Sequence, residues 1–317
     1  MRFDLRLRGP DVQDRVVPIV RVLPTRVNRF YRGGALIDRM RGEPERDTDY
    51  PEDWIGSVVE ARNPGGVEGL SQLEDGRVLR DAIAADPAHW GEPGVLVKLL
   101  DPVERLPVHA HPDRAFAQAR LGSRYGKTEA WIVVGTRDAT ADVWLGLHEP
   151  VEPRVYREWI DRQDREALLG SLSRLTVRTG DVVYVPAGVP HAIGGGALIV
   201  ELQEPSDLSI MCEWTGFPID PDAAHLGLGW DVALEALRLD RYEPTLGLPA
   251  EAREFFAVDD RAEPAGRFAV LLVLDGEGEL DGQRARAGDA FVIPAAAAAF
   301  EVRGDLRLVR CTGGLPA

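Results

Sequence analysis

The sequence predicts a mostly β protein with helical insertions, built from two similar jelly-roll-like β-barrel units. Three observations point that way. After the turn at residues 91–94, the chain runs in short β-rich segments separated by Gly, Pro and Asp, the spacing of strands and turns. A segment also repeats. Gly180-Asp-Val-Val-Tyr-Val-Pro186-Ala187 recurs 108 residues later as Gly288-Asp-Ala-Phe-Val-Ile-Pro294-Ala295. Each copy is a Gly-Asp turn, a four-residue apolar strand and a Pro-Ala turn. Finally, 317 residues, at about 150 per domain, make two units or one large double-cored unit.

The elements follow in order. Residues 1–20 read as a leading strand or arm, and residues 28–34 end in the Gly33-Gly34 turn. Residues 43–53 are a polar loop before a strand at 54–60. Helical spacing through Val78, Leu79, Ile83 and Ala84 predicts a helix over 75–90. The apolar run 95–100 reads as a strand; helical stretches are expected at 154–172 and 229–239, and β structure from 255 to the end. The expected division is residues 1–242, a metal-binding barrel with the arm and the helical insertions, and residues 243–317, a degenerate barrel half. The second copy of the repeat has Ala299 where the first has His191, and no histidine follows His225. The second unit is therefore expected to hold no metal.

Composition narrows the function classes. Hydrophobic residues at 44% and charged residues at 28% are ordinary for a folded globular protein. A net charge of −15 disfavours nucleic acid or an anionic membrane as partner. It leaves room for a locally basic pocket. No apolar run approaches the ~20 residues of a membrane span, and the charged N-terminus does not read as a signal peptide. Cys212 and Cys311 are too few for a disulfide framework. A cytoplasmic location is expected. Of 37 basic residues only Lys98 and Lys127 are lysine, and both flank the motif that follows. Lysine is a compact charge whose pKa can move, unlike the fixed fork of arginine.

That motif is Pro107-Val108-His109-Ala110-His111-Pro112-Asp113. On a strand, residues two apart share a face, so His109 and His111 point the same way. In Gly126-Lys127-Thr128-Glu129-Ala130-Trp131 the same alternation puts Lys127, Glu129 and Trp131 together. His191 follows the Pro186 turn. An unpaired strand carboxylate facing a core is costly, and a cation compensates it. Imidazoles with one carboxylate suit Zn, Fe, Mn, Ni or Co. His109, His111, Glu129 and His191 form the ligand set of a cupin metal site.

With these motifs on the page, the chain resembles the class I phosphomannose isomerase family. The resemblance runs through Leu96-Val97-Lys98-Leu99-Leu100-Asp101, His111-Pro112-Asp113, Gly126-Lys127-Thr128-Glu129, Val185-Pro186-Ala187-Gly188, His191-Ala192-Ile193-Gly194 and Glu201-Leu202-Gln203-Glu204-Pro205-Ser206-Asp207. It implies a zinc-dependent cupin that interconverts mannose 6-phosphate and fructose 6-phosphate. The chain departs from the family twice. His109 stands where the family normally has glutamine, and Met211 stands about where it has an arginine.

Aldose–ketose isomerisation moves a proton between C1 and C2 and must hold the developing oxyanion. Glu201, at the family's glutamate position, is the candidate base. Lys127, sharing a face with Glu129, is placed to assist proton transfer or to bind an anionic group. Lys98, in the run Val-Leu-Val-Lys-Leu-Leu, must pair or line a polar cavity. Trp131 and Gln203 are candidate pocket residues. One divalent transition metal, zinc by resemblance, is the expected cofactor. A small sugar or sugar phosphate is the expected partner, with homo-oligomerisation left open. The other readings are an isomerase of an unphosphorylated or different sugar, motivated by Met211, a metal-dependent cupin oxygenase, and a sugar-sensing module.

Overall fold

The structure is a computed structural model that describes residues 19–45, 49–63 and 66–314. Most of the arm expected over residues 1–20 lies outside the described residues. Its end, the strand Val20–Val22, pairs with Ala290–Ile293, so the two ends of the chain share one sheet.

The protein is mostly β, in three open sheets. The middle sheet runs Arg26–Val27, Glu52–Ile55, Leu96–Leu100, Ala197–Gln203, Glu129–Thr136, Val182–Val185, every neighbour antiparallel. It is buried on both faces. Val97, Leu99, Val200 and Leu202 pack against Val270, Leu272, Val292 and Val309 of the C-terminal sheet. The alternate residues Leu100, Val133 and Ile199 pack against Val143, Leu145 and Ile193 of the remaining sheet. Burial on both faces is why these strands read as continuous apolar runs rather than as alternating ones.

The sheet on the inner side runs Ile210–Met211, His109–Ala110, His191–Ile193, Ala141–Leu147, Leu172–Val177. Its outer face is covered by the helices Pro153–Arg162, Arg165–Gly170 and Trp230–Ala233 through Tyr156, Ile160, Leu168 and Trp230. The C-terminal sheet runs Val20–Val22, Ala290–Ile293, Ala269–Leu280, Val302–Gly313, Phe256–Asp259, with Gln283–Arg286 on the far half of Ala269–Leu280. The two repeat copies form the strands Val182–Val185 and Ala290–Ile293, each entered through a left-handed glycine, Gly180 at φ 98° and Gly288 at φ 86°.

Local chemistry shortens several expected elements. The helix over 75–90 is two, Leu79–Ala85 and Pro87–Trp90. Pro87 cannot donate to the preceding turn, and Asp86 instead caps the second helix by accepting from His89 N. The stretch 154–172 is likewise Pro153–Arg162 and Arg165–Gly170, broken at left-handed Gln163 and recapped by Asp164. Helix 229–239 is one turn, Trp230–Ala233, continued as the 3₁₀ turn Leu234–Ala236. The strand expected over 54–60 is Glu52–Ile55 and stops at Gly56, whose φ of 59° and near contact with Val292 admit no side chain. The helix Arg114–Leu121, capped by Asp113, was not singled out by the sequence pattern.

Candidate metal centre and its cavity

A polar stripe crosses the inner face of the middle sheet. Cross-strand register pairs Trp54 with Lys98, Lys98 with Glu201, Glu201 with Trp131, and Gln203 with Glu129. Alternation then puts Glu52 beside Trp54 on the same face. Opposite stand the imidazoles. His109 and His191 are direct register partners, and His111 follows two residues later. The loop carrying His111 is held by the repeat turn: Gly188 N donates to His111 O at 2.6 Å.

Each imidazole is turned the same way. The Nδ1 atoms of His109, His111 and His191 lie 2.8, 2.9 and 2.8 Å from the carbonyls of Pro107, Leu208 and Val189. Carbonyls only accept, so every Nδ1 is the protonated nitrogen and every Nε2 carries a lone pair. The ligand atoms of the three rings lie within 4.8 Å of one another. Burial, chiefly, holds all three below the usual imidazole range, with the neighbouring rings or Lys127 adding to it. His111 is lowered to about 3, where Glu129 acts in the opposite sense. The rings are thus neutral, with three lone pairs converging in a dry space. His191 Nε2 is buried with no hydrogen-bond partner. Such an orphaned acceptor in a cluster of acceptors fits a cation.

Glu129 closes the cluster. Its Oε2 lies 3.1 Å from His111 Nε2, and its Oε1 lies 3.4 Å from His191 Nε2. Trp131 Nε1 donates to Oε1 at 3.0 Å and Lys127 Nζ donates to Oε2 at 2.7 Å. Burial would raise this carboxyl, but the Lys127 ammonium, the largest opposing influence, holds it well below the usual range. Lys127 Nζ is also 2.7 Å from His111 Nε2. Its ammonium therefore sits among the acceptors.

The other sequence candidates share the stripe. Lys98 Nζ is 3.1 Å from Glu201 and lies over the Trp54 ring at 4.7 Å. Burial would lower the ammonium, but Glu201 and Glu52 raise it. Burial raises the Glu201 carboxyl, Glu129 adds to that, and Lys98 opposes it. Gln203 donates to the carbonyls of Glu204 and Ser206, and its Oε1 is buried without a partner. Trp131 is fully buried.

The structure adds roles that sequence reasoning did not assign. Glu52 accepts from Tyr31 Oη and Trp54 Nε1, both at 2.7 Å. Arg29 forms a two-pronged pair with Asp207, at 3.0 and 3.2 Å. Burial would raise Asp207, yet Arg29 and then Lys98 bring it to about 2. The signals were present: acidic Glu52-Asp53 opens a strand beside a tryptophan, and Arg29 stands among aromatics. With every carboxylate ionised, the buried cations Arg29, Lys98 and Lys127 face Glu52, Glu129, Glu201 and Asp207. The cluster lacks positive charge, which a cation at the imidazoles would supply.

A cavity of about 970 Å³ adjoins this cluster, lined by Arg29, Asn63, Asp207, Ser209, Met211 and Ile219 among others. Ser209 Oγ is 3.3 Å from His111 Nδ1, and Met211 is the register partner of His109. The Asp207–Met211 run thus stands between the cavity and the imidazoles.

Fold and site together define a mostly β protein with a buried cluster of three imidazoles that could hold a metal, the Glu129 carboxylate beside it and a cavity adjoining it. No protein-family model matches the sequence. The mannose-6-phosphate isomerase of Streptococcus mutans is 28% identical over 243 residues, covering 68% of this chain and 72% of that protein. A mannose-6-phosphate isomerase of Bacillus subtilis is 34% identical over 113 residues, covering 36% and 34%. Among solved structures, the mannose 6-phosphate isomerase of Bacillus subtilis superposes with a TM-score of 0.70 at 23% identity, over 93% of this chain and 99% of that one. A variant of the phosphomannose isomerase of Salmonella typhimurium gives 0.71 at 15% identity, over 94% and 100%. The chain is thus similar in sequence to mannose-6-phosphate isomerases and in fold to solved phosphomannose isomerases.

Proposed function

We propose that the protein is a metal-dependent aldose–ketose isomerase that interconverts mannose 6-phosphate and fructose 6-phosphate. The observation that carries this is the convergence of three neutral Nε2 lone pairs on the Glu129 carboxylate, beside a cavity and a buried Lys–Glu pair. His109, His111, Glu129 and His191 hold one divalent ion, zinc by family likeness. When bound, that ion supplies Lewis acidity to the sugar oxygens. Glu201 takes the proton from C2 of the open-chain aldose, and its conjugate acid returns it to C1. The hydroxyl proton passes in the same step from O2 to O1, with Lys127 as donor and acceptor. Lys98 keeps the base paired between transfers. Trp131 orients Glu129, and Gln203 borders the sugar.

The two repeat copies support an arrangement of two cupin-like barrels, residues 1–242 with the ligands and 243–317 without a metal. The strand Val20–Val22 crosses from the first unit to the sheet of the second. The acidic chain, in which no described helix is long and apolar enough to cross a membrane, is assigned to the cytoplasm. Its partner is a small sugar phosphate, with self-association open.

Metal analysis of the purified protein, with a coupled isomerase assay, tests the proposal. About one equivalent of divalent metal and turnover of mannose 6-phosphate are expected. A metal-free protein that ignores added metal overturns it. One observation favours a second reading: Met211 beside His109 brings an apolar side chain to the cavity where the family has a cation. An assay over matched sugars with and without phosphate decides between the two.

A further inference from the structure

We infer that Glu52 is a positioning residue of this site, holding the Lys98 ammonium beside the Glu201 carboxylate. The inference rests on the isomerase reading for its consequence and on geometry for its substance. Glu52 is 4% exposed and is anchored on both oxygens. Tyr31 Oη donates to Oε1, Trp54 Nε1 donates to Oε2, and Arg29 Nε lies 3.2 Å from Oε1. A carboxylate tied by two neutral donors and one guanidinium cannot swing. Its Oε2 is 3.7 Å from Lys98 Nζ.

Lys98 is equally enclosed. The ammonium has Glu201 at 3.1 Å, Glu52 at 3.7 Å and the Trp54 ring at 4.7 Å. Trp54 serves twice, donating its indole hydrogen to Glu52 while its ring attracts the ammonium. With Glu52 in place, one buried cation is shared between two carboxylates. Glu201 is then not fully neutralised and keeps basicity for proton transfer. Without the Glu52 charge, Lys98 closes fully on Glu201, which becomes a weaker base in a collapsed ion pair.

The composition makes this measurable, because Lys98 and Lys127 are the only lysines. Full-length protein labelled with ¹³Cε-lysine, with any lysine-free tag, gives two lysine side-chain signals, assigned with Lys98→Arg. In Glu52→Gln the Lys98 signal should move while the Lys127 signal stays. The metal content should be retained, and kcat should fall on the order of 10²-fold with KM little changed. Glu52→Asp, which restores the charge, should recover part of kcat. An unmoved Lys98 signal in a folded Glu52→Gln protein, or an unchanged kcat, overturns the inference. If that variant does not fold, Tyr31→Phe removes one anchor and must move the same signal. A wild-type protein without isomerase activity would overturn the proposed function but not the lysine measurement.

Discussion

His109 and His191 face each other across neighbouring antiparallel strands, with ring centroids 4.2 Å apart. Two residues 82 positions apart in sequence thereby become a ready-made pair, and His111 joins them at 5.0 and 4.8 Å. Two neutral rings this close share no hydrogen bond with each other. His191→Ala should therefore lose bound metal and turnover together. Metal content by mass spectrometry and isomerase rate are the readouts; an active, metal-replete variant would remove His191 from the ligands.

Lys127 makes a different prediction. Its ammonium touches His111 and Glu129, and both can hold a cation without it. Lys127→Ala should keep its metal yet lose turnover by about 10²- to 10⁴-fold, the usual worth of a proton-transfer group. Normal kcat in that variant would reduce Lys127 to scaffold.

Trp131 is expected to act through Glu129. Trp131→Phe keeps most of the buried ring but deletes the donor to Oε1. Outer hydrogen bonds of this kind are worth about 10- to 100-fold in metal affinity. Competition with a chelator should show weaker binding, with a stability loss of about 1 kcal/mol.

Gly188 tests the link between the repeat turn and the site. Its φ is 83°, and a Cβ there would sit 2.9 Å from Ala236 O and 2.8 Å from Arg238 Cγ. Gly188→Ala should cost about 1–3 kcal/mol from strain alone. Because Gly188 N donates to His111 O, metal affinity should fall as well. Thermal unfolding with and without added metal separates the two effects.

Acid should also act through pairs such as Arg29–Asp207. Asp207 is held at about 2 in the folded protein, against about 3.9 when unfolded. A depressed carboxyl stabilises above its unfolded pKa and loses that contribution as pH falls towards the folded one. The shift corresponds to about 2–3 kcal/mol at neutral pH, of which about half is gone by pH 3. Asp207→Asn should be less stable than wild type at pH 7, and the gap should narrow towards pH 3. A constant gap in denaturant titrations would contradict this.

Much of the site was legible because strand alternation is rigid. Once 107–113 and 126–134 were read as extended, the directions of His109, Lys127, Glu129 and Trp131 followed. The roles of Glu52, Arg29 and Asp207 were not legible, because they arise from contacts between residues 21 to 178 positions apart in the chain, which no local pattern encodes. The β-rich texture and the repeat were also plain, whereas helix lengths were overestimated. The pattern through Val78, Leu79 and Ile83 continues past Pro87, but the backbone cannot, and Gln163 breaks the next helix without any glycine or proline to announce it.

The Val97–Leu99–Val200–Leu202 face of the middle sheet has a further consequence. Residues beyond 268 lie over much of that face, so the first 242 residues alone do not cover these strands. A chain cut at residue 242 would present a greasy wall to water and should clump rather than work. The C-terminal segment is in this sense the other half of the wall, and trimming experiments should find no smaller folded piece.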